Sequence, residues 1–120
     1  MKRILIVDDH ELIRRGVRSL LLNSNYAVCG EASTGIEAVD SAVYLKPDVV
    51  LLDVSMPGMT GVEALHRIRR LAPSTKVIFF TMHSPESLRN TGVDAAISKD
   101  SNSDTLLAAI EQVLAGSQGS

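Results

Sequence analysis

Apolar residues in this chain fall into two kinds of run. Short continuous blocks, ILIV (4–7), YAVCGEA (26–32), VVLL (49–52), VIFF (77–80) and AAI (95–97), are each bounded by polar or turn residues. Their length and their β-branched and aromatic content predict strands covered on both faces, the pattern of a parallel sheet. Between the blocks, apolar residues recur at helical spacing. Leu12, Ile13, Val17, Leu20 and Leu21 share a face, as do Ile36, Val39, Val43 and Leu45. Val62, Leu65, Ile68 and Leu71 make a third stripe, and Leu106, Leu107, Ile110, Val113 and Leu114 a last one.

Helix starts are written in the polar residues. Thr34 with Glu37, and Thr60 with Glu63, fit a capping box, in which the threonine caps the helix and the glutamate follows three residues on. Ser101 with Asp104 is a looser version before the last helix. Pro47 and Pro73 close the second and third helices, and Gly116 is a stop for the last. The order is β-α five times over, which predicts one α/β domain over residues 1–116, a doubly wound sheet with helices on both faces. Residues 117–120 read as a flexible tail or linker stub.

Composition narrows the function. The 120 residues suit a single domain with a real core. A formal net charge of −2 gives no global attraction to nucleic acid or anionic lipid. Aromatics are 3% of the chain, too few for base-stacking platforms. One cysteine, Cys29, forms no internal disulfide and fits a reducing cytoplasm. No stretch approaches the ~18 apolar residues of a membrane span, so no membrane association is expected.

In an open α/β sheet, ligands gather beyond the carboxyl ends of the strands. Here those ends carry Asp8 and Asp9 after the first strand, Asp53 after the third, Thr81 after the fourth and Lys99 after the fifth. Singly, each has a bland explanation as a cap or loop residue, but together they make a chemical set. Clustered carboxylates repel, and one is forced to protonate unless a cation compensates. Mg²⁺, a hard ion that takes a few carboxylates, waters and substrate phosphate oxygens, suits such a cluster. Lys99 and Thr81, with backbone N–H groups after Asp53, offer donors for the oxygens of a transferred phosphoryl group. Asp53, alone at the end of VVLLD, is the candidate nucleophile, because a carboxylate can form an acyl phosphate.

LIVDDH, LLDVSMPGMTG, Thr81 and the Lys99 of ISKD resemble a receiver domain of a two-component response regulator, over essentially the whole chain. VDDHELIRRGVRSLL is similar more narrowly to the NarL/FixJ (LuxR-type) regulators, which carry a C-terminal helix-turn-helix DNA-binding domain. The resemblance implies a flavodoxin-like five-stranded sheet in the order 2-1-3-4-5. It implies that Asp53 accepts a phosphoryl group from a sensor histidine kinase, in a domain that joins its own Mg²⁺-dependent phosphorylation and dephosphorylation without being an enzyme. Asp9, Asp53 and the backbone carbonyl of Ser55 would ligate Mg²⁺, with Asp8 acting through water. Thr81 and Lys99 would contact the phosphoryl oxygens, and Ser55 and His83 would tune hydrolysis. A cytoplasmic protein, a homodimer formed on activation, and DNA binding only through a further C-terminal domain complete the implication. For His83, an exposed loop histidine is the equal alternative.

Two features depart from that family. The position three before Lys99, usually an aromatic that reports phosphorylation, is Ala96. The Thr81–Lys99 separation is also shorter than usual, at the expense of the fourth helix. Ser84 caps that helix and Pro85 starts it, but Gly92 ends it after about two turns, below the ~12 residues an isolated helix needs. Leu88 is its one strong apolar anchor.

Other residues invite bland readings. Cys29 reads as a buried, inert thiol, and His10 as part of the first helix start and not of a metal site. His66, Arg67, Arg69 and Arg70 read as a solvated basic face, and Met56, Met59 and Met82 as packing around the site. Two further functions compete with the receiver. One is a receiver-fold interaction module with no phosphorylation cycle, motivated by Ala96 and the short helix. The other is an Mg²⁺-dependent phosphohydrolase, which would want a second Asp where Ser55 stands. A dinucleotide site fails because no G-x-G-x-x-G follows the first strand.

Overall fold

The computed structural model describes residues 1–82 and 85–116. The strands form where the apolar blocks fall: β1 Lys2–Val7, β2 Tyr26–Ala32, β3 Val49–Leu52, β4 Lys76–Thr81 and β5 Ala95–Ser98. They pair in parallel in the order β2-β1-β3-β4-β5. The helices are α1 Glu11–Leu22, α2 Gly35–Leu45, α3 Gly61–Leu71 and α4 Ser103–Gly116, with a 3₁₀ segment, η1, at Pro85–Thr91. No described helix is long and apolar enough to cross a membrane.

Strand alternation divides the core into two layers. Leu5, Val7, Val50, Leu52, Val77 and Phe79 face α2, α3 and Leu88 of η1. Ile4, Ile6, Val49, Leu51 and Ile78 face α1 and α4, where Val17, Leu21, Leu106 and Ile110 meet them. Helices therefore cover both faces. β1 and β3 are buried almost throughout, whereas β2 and β5, at the sheet edges, are only partly covered. The expectation of strands covered on both faces fails there because an edge strand lacks a neighbour on one side.

Caps follow the sequence at two helices. Thr34 Oγ1 accepts from the Glu37 N–H at 3.1 Å, and Thr60 Oγ1 from the Glu63 N–H at 3.2 Å. At α4 the cap is Asn102, whose Oδ1 accepts from the Thr105 N–H at 2.9 Å, not Ser101. Several apolar stripes are also narrower than their spacing implied. Leu12, Ile36, Val43 and Leu71 are exposed, and α2 turns Ala38, Val39 and Ala42 inward instead. Small residues let that helix lie close to the sheet, so its bulkier residues point outward.

The fourth crossover is short, as its sequence predicts, and is 3₁₀ rather than α-helical. Its cap, Ser84, lies outside the described residues. Gly92 ends it with φ +87°, a left-handed conformation that suits glycine. Leu88 is buried, at 8% exposure. Arg69 of α3 then ties down the exit. Its Nη2 donates to the Gly92 carbonyl and to Asp94 Oδ2, both at 2.8 Å. Asp94 Oδ2 also accepts from the Val77 N–H at 2.7 Å. Arg69 is thus a clamp and not part of a solvated face, while His66, Arg67 and Arg70 are exposed.

Candidate functional site

The parallel register brings the carboxyl ends of β1, β3, β4 and β5 to one edge of the sheet. Val7 pairs with Leu52, so Asp8 and Asp53 leave adjacent strands side by side. The Asp53 N–H donates to the Val7 carbonyl at 3.0 Å, and the Asp8 N–H to the Ala32 carbonyl at 3.1 Å. Thr81 pairs with Ser98, and the Lys99 N–H donates to the Thr81 carbonyl at 2.8 Å. A backbone hydrogen bond that continues the β4–β5 pairing therefore sets where the lysine leaves the sheet.

Lys99 turns its ammonium between two carboxylates. Nζ lies 2.5 Å from Asp8 Oδ2 and 3.4 Å from Asp53 Oδ2. The side chains of Lys99, Asp8 and Asp53 are 5%, 3% and 5% exposed, so these charges meet with little screening. Asp8 Oδ2 accepts no directional hydrogen bond, although it is buried and pairs with the lysine. Burial pushes the Asp53 carboxyl above its usual range, and the neighbouring Asp8 charge pushes it the same way. Lys99 and the Ser55 N–H, which donates to Asp53 Oδ1 at 3.3 Å, oppose that rise.

The remaining residues surround this core. Asp9 is more open, at 28% exposure. Thr81 is fully buried at the end of β4, and Ser55 lies on the exposed turn after β3. Gly61 packs so closely under that turn that an added Cβ would stand 2.6 Å from the Asp53 carbonyl oxygen. Met56 is buried and Met59 packs on the core, but Met82 is 64% exposed and packs little. Cys29 is partly buried on β2, and burial raises its thiol pKa. His83 lies outside the described residues. Ala96 sits on β5, opposite Phe79 and against the α2–α3 layer.

His10 belongs to the start of α1, as its sequence predicts, and its ring also lies against the site carboxylates. It caps α1 with extended backbone, but its side chain makes no capping bond. Its Nδ1 lies 3.2 Å from Asp8 Oδ1 and 3.1 Å from Asp9 Oδ1. The signal was available, since a histidine directly after two site carboxylates has a ring long enough to fold back over them.

The donor set fits a hard divalent cation. Asp8, Asp9, His10 and Asp53 each offer a ligand atom, all within 4.8 Å of one another. Three carboxylates cluster where one lysine pairs with two of them, one buried carboxylate oxygen lacks a hydrogen bond, and Asp53 resists ionisation. A cation among them would relieve all three conditions.

The response regulator receiver domain model matches residues 4–111. The chain belongs to this family. Within it, the nitrate/nitrite response regulator protein NarP of Escherichia coli is 42% identical over 123 residues, covering 98% of this chain and 56% of its own. Response regulator GacA of Pseudomonas aeruginosa is 37% identical over 121 residues, 97% of this chain and 56% of its own. A LuxR-family two-component response regulator from an Aurantimonas species superimposes with TM-score 0.88 at 35% identity, over 95% of this chain and 85% of that one. These relatives place the receiver in the NarL/FixJ (LuxR-type) group, and the sheet order is the family's. The chain spans about half the length of the curated relatives it matches. It is a receiver domain of two-component response regulators, and receiver domains bind Mg²⁺ at an acidic cluster of this kind.

Proposed function

We propose that Asp53 is the phosphoryl acceptor of this receiver and that a sensor histidine kinase is the donor. The observation that carries this reading is the buried Asp53 carboxylate at the end of the central strand, with Lys99 Nζ 3.4 Å away and Asp8 beside it. An Asp53 carboxylate oxygen attacks phosphorus, the bond from phosphorus to the donor's imidazole nitrogen breaks, and its electron pair stays on that nitrogen. An acyl phosphate results. Lys99 and Thr81 bind the phosphoryl oxygens, and the Ser55 N–H holds the acceptor in place. Asp9, Asp53 and the Ser55 carbonyl would hold Mg²⁺, with Asp8 acting through water. When bound, the cation supplies positive charge for the phosphoryl oxygens. Ser55 and His83, two residues past Asp53 and Thr81, set how readily water removes the phosphoryl group.

In this reading the domain, residues 1–116, works in the cytoplasm and switches a DNA-binding output domain beyond residue 120, pairing as a homodimer when activated. A DNA-binding response regulator of the LuxR family from Staphylococcus aureus, 29% identical with TM-score 0.87, and the greater length of the curated relatives support that output, and the single cysteine supports the compartment. The 3₁₀ segment and Ala96 favour a second reading in one respect only, because both lie where other receivers transmit their signal. A phosphorylation-independent interaction module would leave backbone amide exchange unchanged when a phosphate mimic binds.

The test is incubation with acetyl phosphate, with and without Mg²⁺, read by intact-protein mass. One phosphoryl group should add in the presence of Mg²⁺, and none should add to Asp53→Asn. An unmodified wild-type protein would remove this reading.

A further inference from the structure

The acidic turn has a support that the phosphoryl chemistry does not use. Arg14, in the first turn of α1, is 17% exposed. Its Nη1 donates to the Asp8 carbonyl at 2.6 Å, and its Nε donates to Glu31 Oε1 on β2 at 3.0 Å. Arg18, one turn further along, pairs with the other oxygen of Glu31. The Asp8 N–H is bonded to the Ala32 carbonyl. Both backbone groups of Asp8 are thus referred to β2, one directly and one through the guanidinium.

The Asp8 carbonyl shares a rigid peptide plane with the Asp9 nitrogen. Fixing that carbonyl therefore fixes how the Asp9 residue leaves the turn. Asp8 and Asp9 carry like charges beside Asp53, so a free turn would spread them apart. A guanidinium can hold a carbonyl with one arm and a carboxylate with another, because its donors are set in a rigid fork. A lysine at the same place could satisfy only one of these partners well.

We propose that Arg14, anchored by Glu31, is a positioning residue that holds the Asp8–Asp9 turn in the shape that binds a divalent cation. The inference rests on the reading of Asp8 and Asp9 as cation-holding residues. Groups that orient metal ligands from behind typically change affinity by about 10–100-fold when lost.

The experiment is Mg²⁺ titration calorimetry on the whole chain, well below its melting temperature, with amide hydrogen exchange on the metal-free protein. Arg14→Gln should weaken Mg²⁺ binding about tenfold, the low end of such effects, and Glu31→Ala less, about threefold, because it leaves Arg14 in place to reach the Asp8 carbonyl. The double variant should be no weaker than Arg14→Gln alone, because both act through one contact. Arg14→Lys should recover part of the loss. Arg15→Gln, which removes the same charge from an exposed pair with Glu11, should bind as the wild type does. In Arg14→Gln the Asp9 and His10 amides should exchange faster while those of β3 do not. A lower melting temperature with unchanged Mg²⁺ affinity would show Arg14 to be structural only and overturn the proposal. Should Arg14→Gln fail to fold, Glu31→Ala and Arg14→Lys carry the test, and wild-type affinity in both overturns it. A wild-type protein that binds no Mg²⁺ would remove the cation reading as well. Binding by the wild type with no loss in the variants removes this inference alone.

Discussion

A carboxylate that attacks phosphorus must be ionised, yet Asp53 sits where ionisation is opposed, chiefly by burial and then by Asp8. The direction has a thermodynamic consequence. Because folding raises this pKa, the folded state holds its proton to higher pH than the unfolded chain does. Stability is therefore lost as pH rises from the usual carboxylate value of 3.8 through the raised one, and the loss is complete above it. Asp53→Asn, which never ionises, should melt several degrees above the wild type at pH 7 without divalent cation, in thermal unfolding followed by circular dichroism. The gap should close as pH falls below 3.8. Equal melting at pH 7 would mean that Lys99 fully compensates the buried charge. At this scale the sequence was informative about Asp8, Asp9, Asp53 and Lys99, because each ends a recognisable strand. It was silent about Arg14, whose partners lie 6 and 17 residues away in sequence and meet it only through helix packing on β2.

Among the elements, the fourth crossover departs furthest from a regular βα unit. A seven-residue 3₁₀ segment with one buried anchor has little packing of its own. Its exit is held instead by Arg69, through Gly92, Asp94 and a longer bond to the Thr75 carbonyl at 3.4 Å. Hydrogen bonds to charged groups contribute about 1.5–3 kcal/mol, and less where solvent reaches them. Arg69 is 31% exposed, so Arg69→Ala should cost about 1–2 kcal/mol in urea unfolding. Amide exchange across 85–94 should rise more than exchange in α1 or β1, and a uniform rise would contradict the clamp. The shortness of this segment was legible from Pro85, Gly92 and the lone Leu88. Its 3₁₀ form and the clamp were not, because an arginine among other helix cations carries no mark of the loop it will meet. Leu12, Ile36, Val43 and Leu71 show a related limit. Helical spacing identifies candidates for a buried face, but the fit of Ala38, Val39 and Ala42 against the sheet selects which residues turn inward.

At the scale of the whole molecule, the sheet converts sequence order into a charged cluster. Strand order and parallel register bring residues 8, 53 and 99 within an ammonium's reach of one another. The fold was legible because the apolar blocks are short, regular and separated by capped helices. The order of the strands was not in that pattern, and came from the resemblance of five strand-end residues to the receiver family. A cation that binds only the folded arrangement must stabilise it, by about 2.7 kcal/mol at a hundredfold excess over its Kd. Mg²⁺ should therefore raise the wild-type melting temperature by several degrees and that of Asp53→Asn by much less, as scanning calorimetry would show. Equal shifts would place the ion elsewhere.

The central claim is that phosphoryl transfer ends on one carboxylate. Borohydride reduces an acyl phosphate on aspartate to homoserine, which peptide sequencing by mass spectrometry locates. After reaction with acetyl phosphate and Mg²⁺, homoserine should be found at position 53 and at no other aspartate. Homoserine at position 8 or 9, or a borohydride-resistant phosphate on Ser55 or Thr81, would contradict the account.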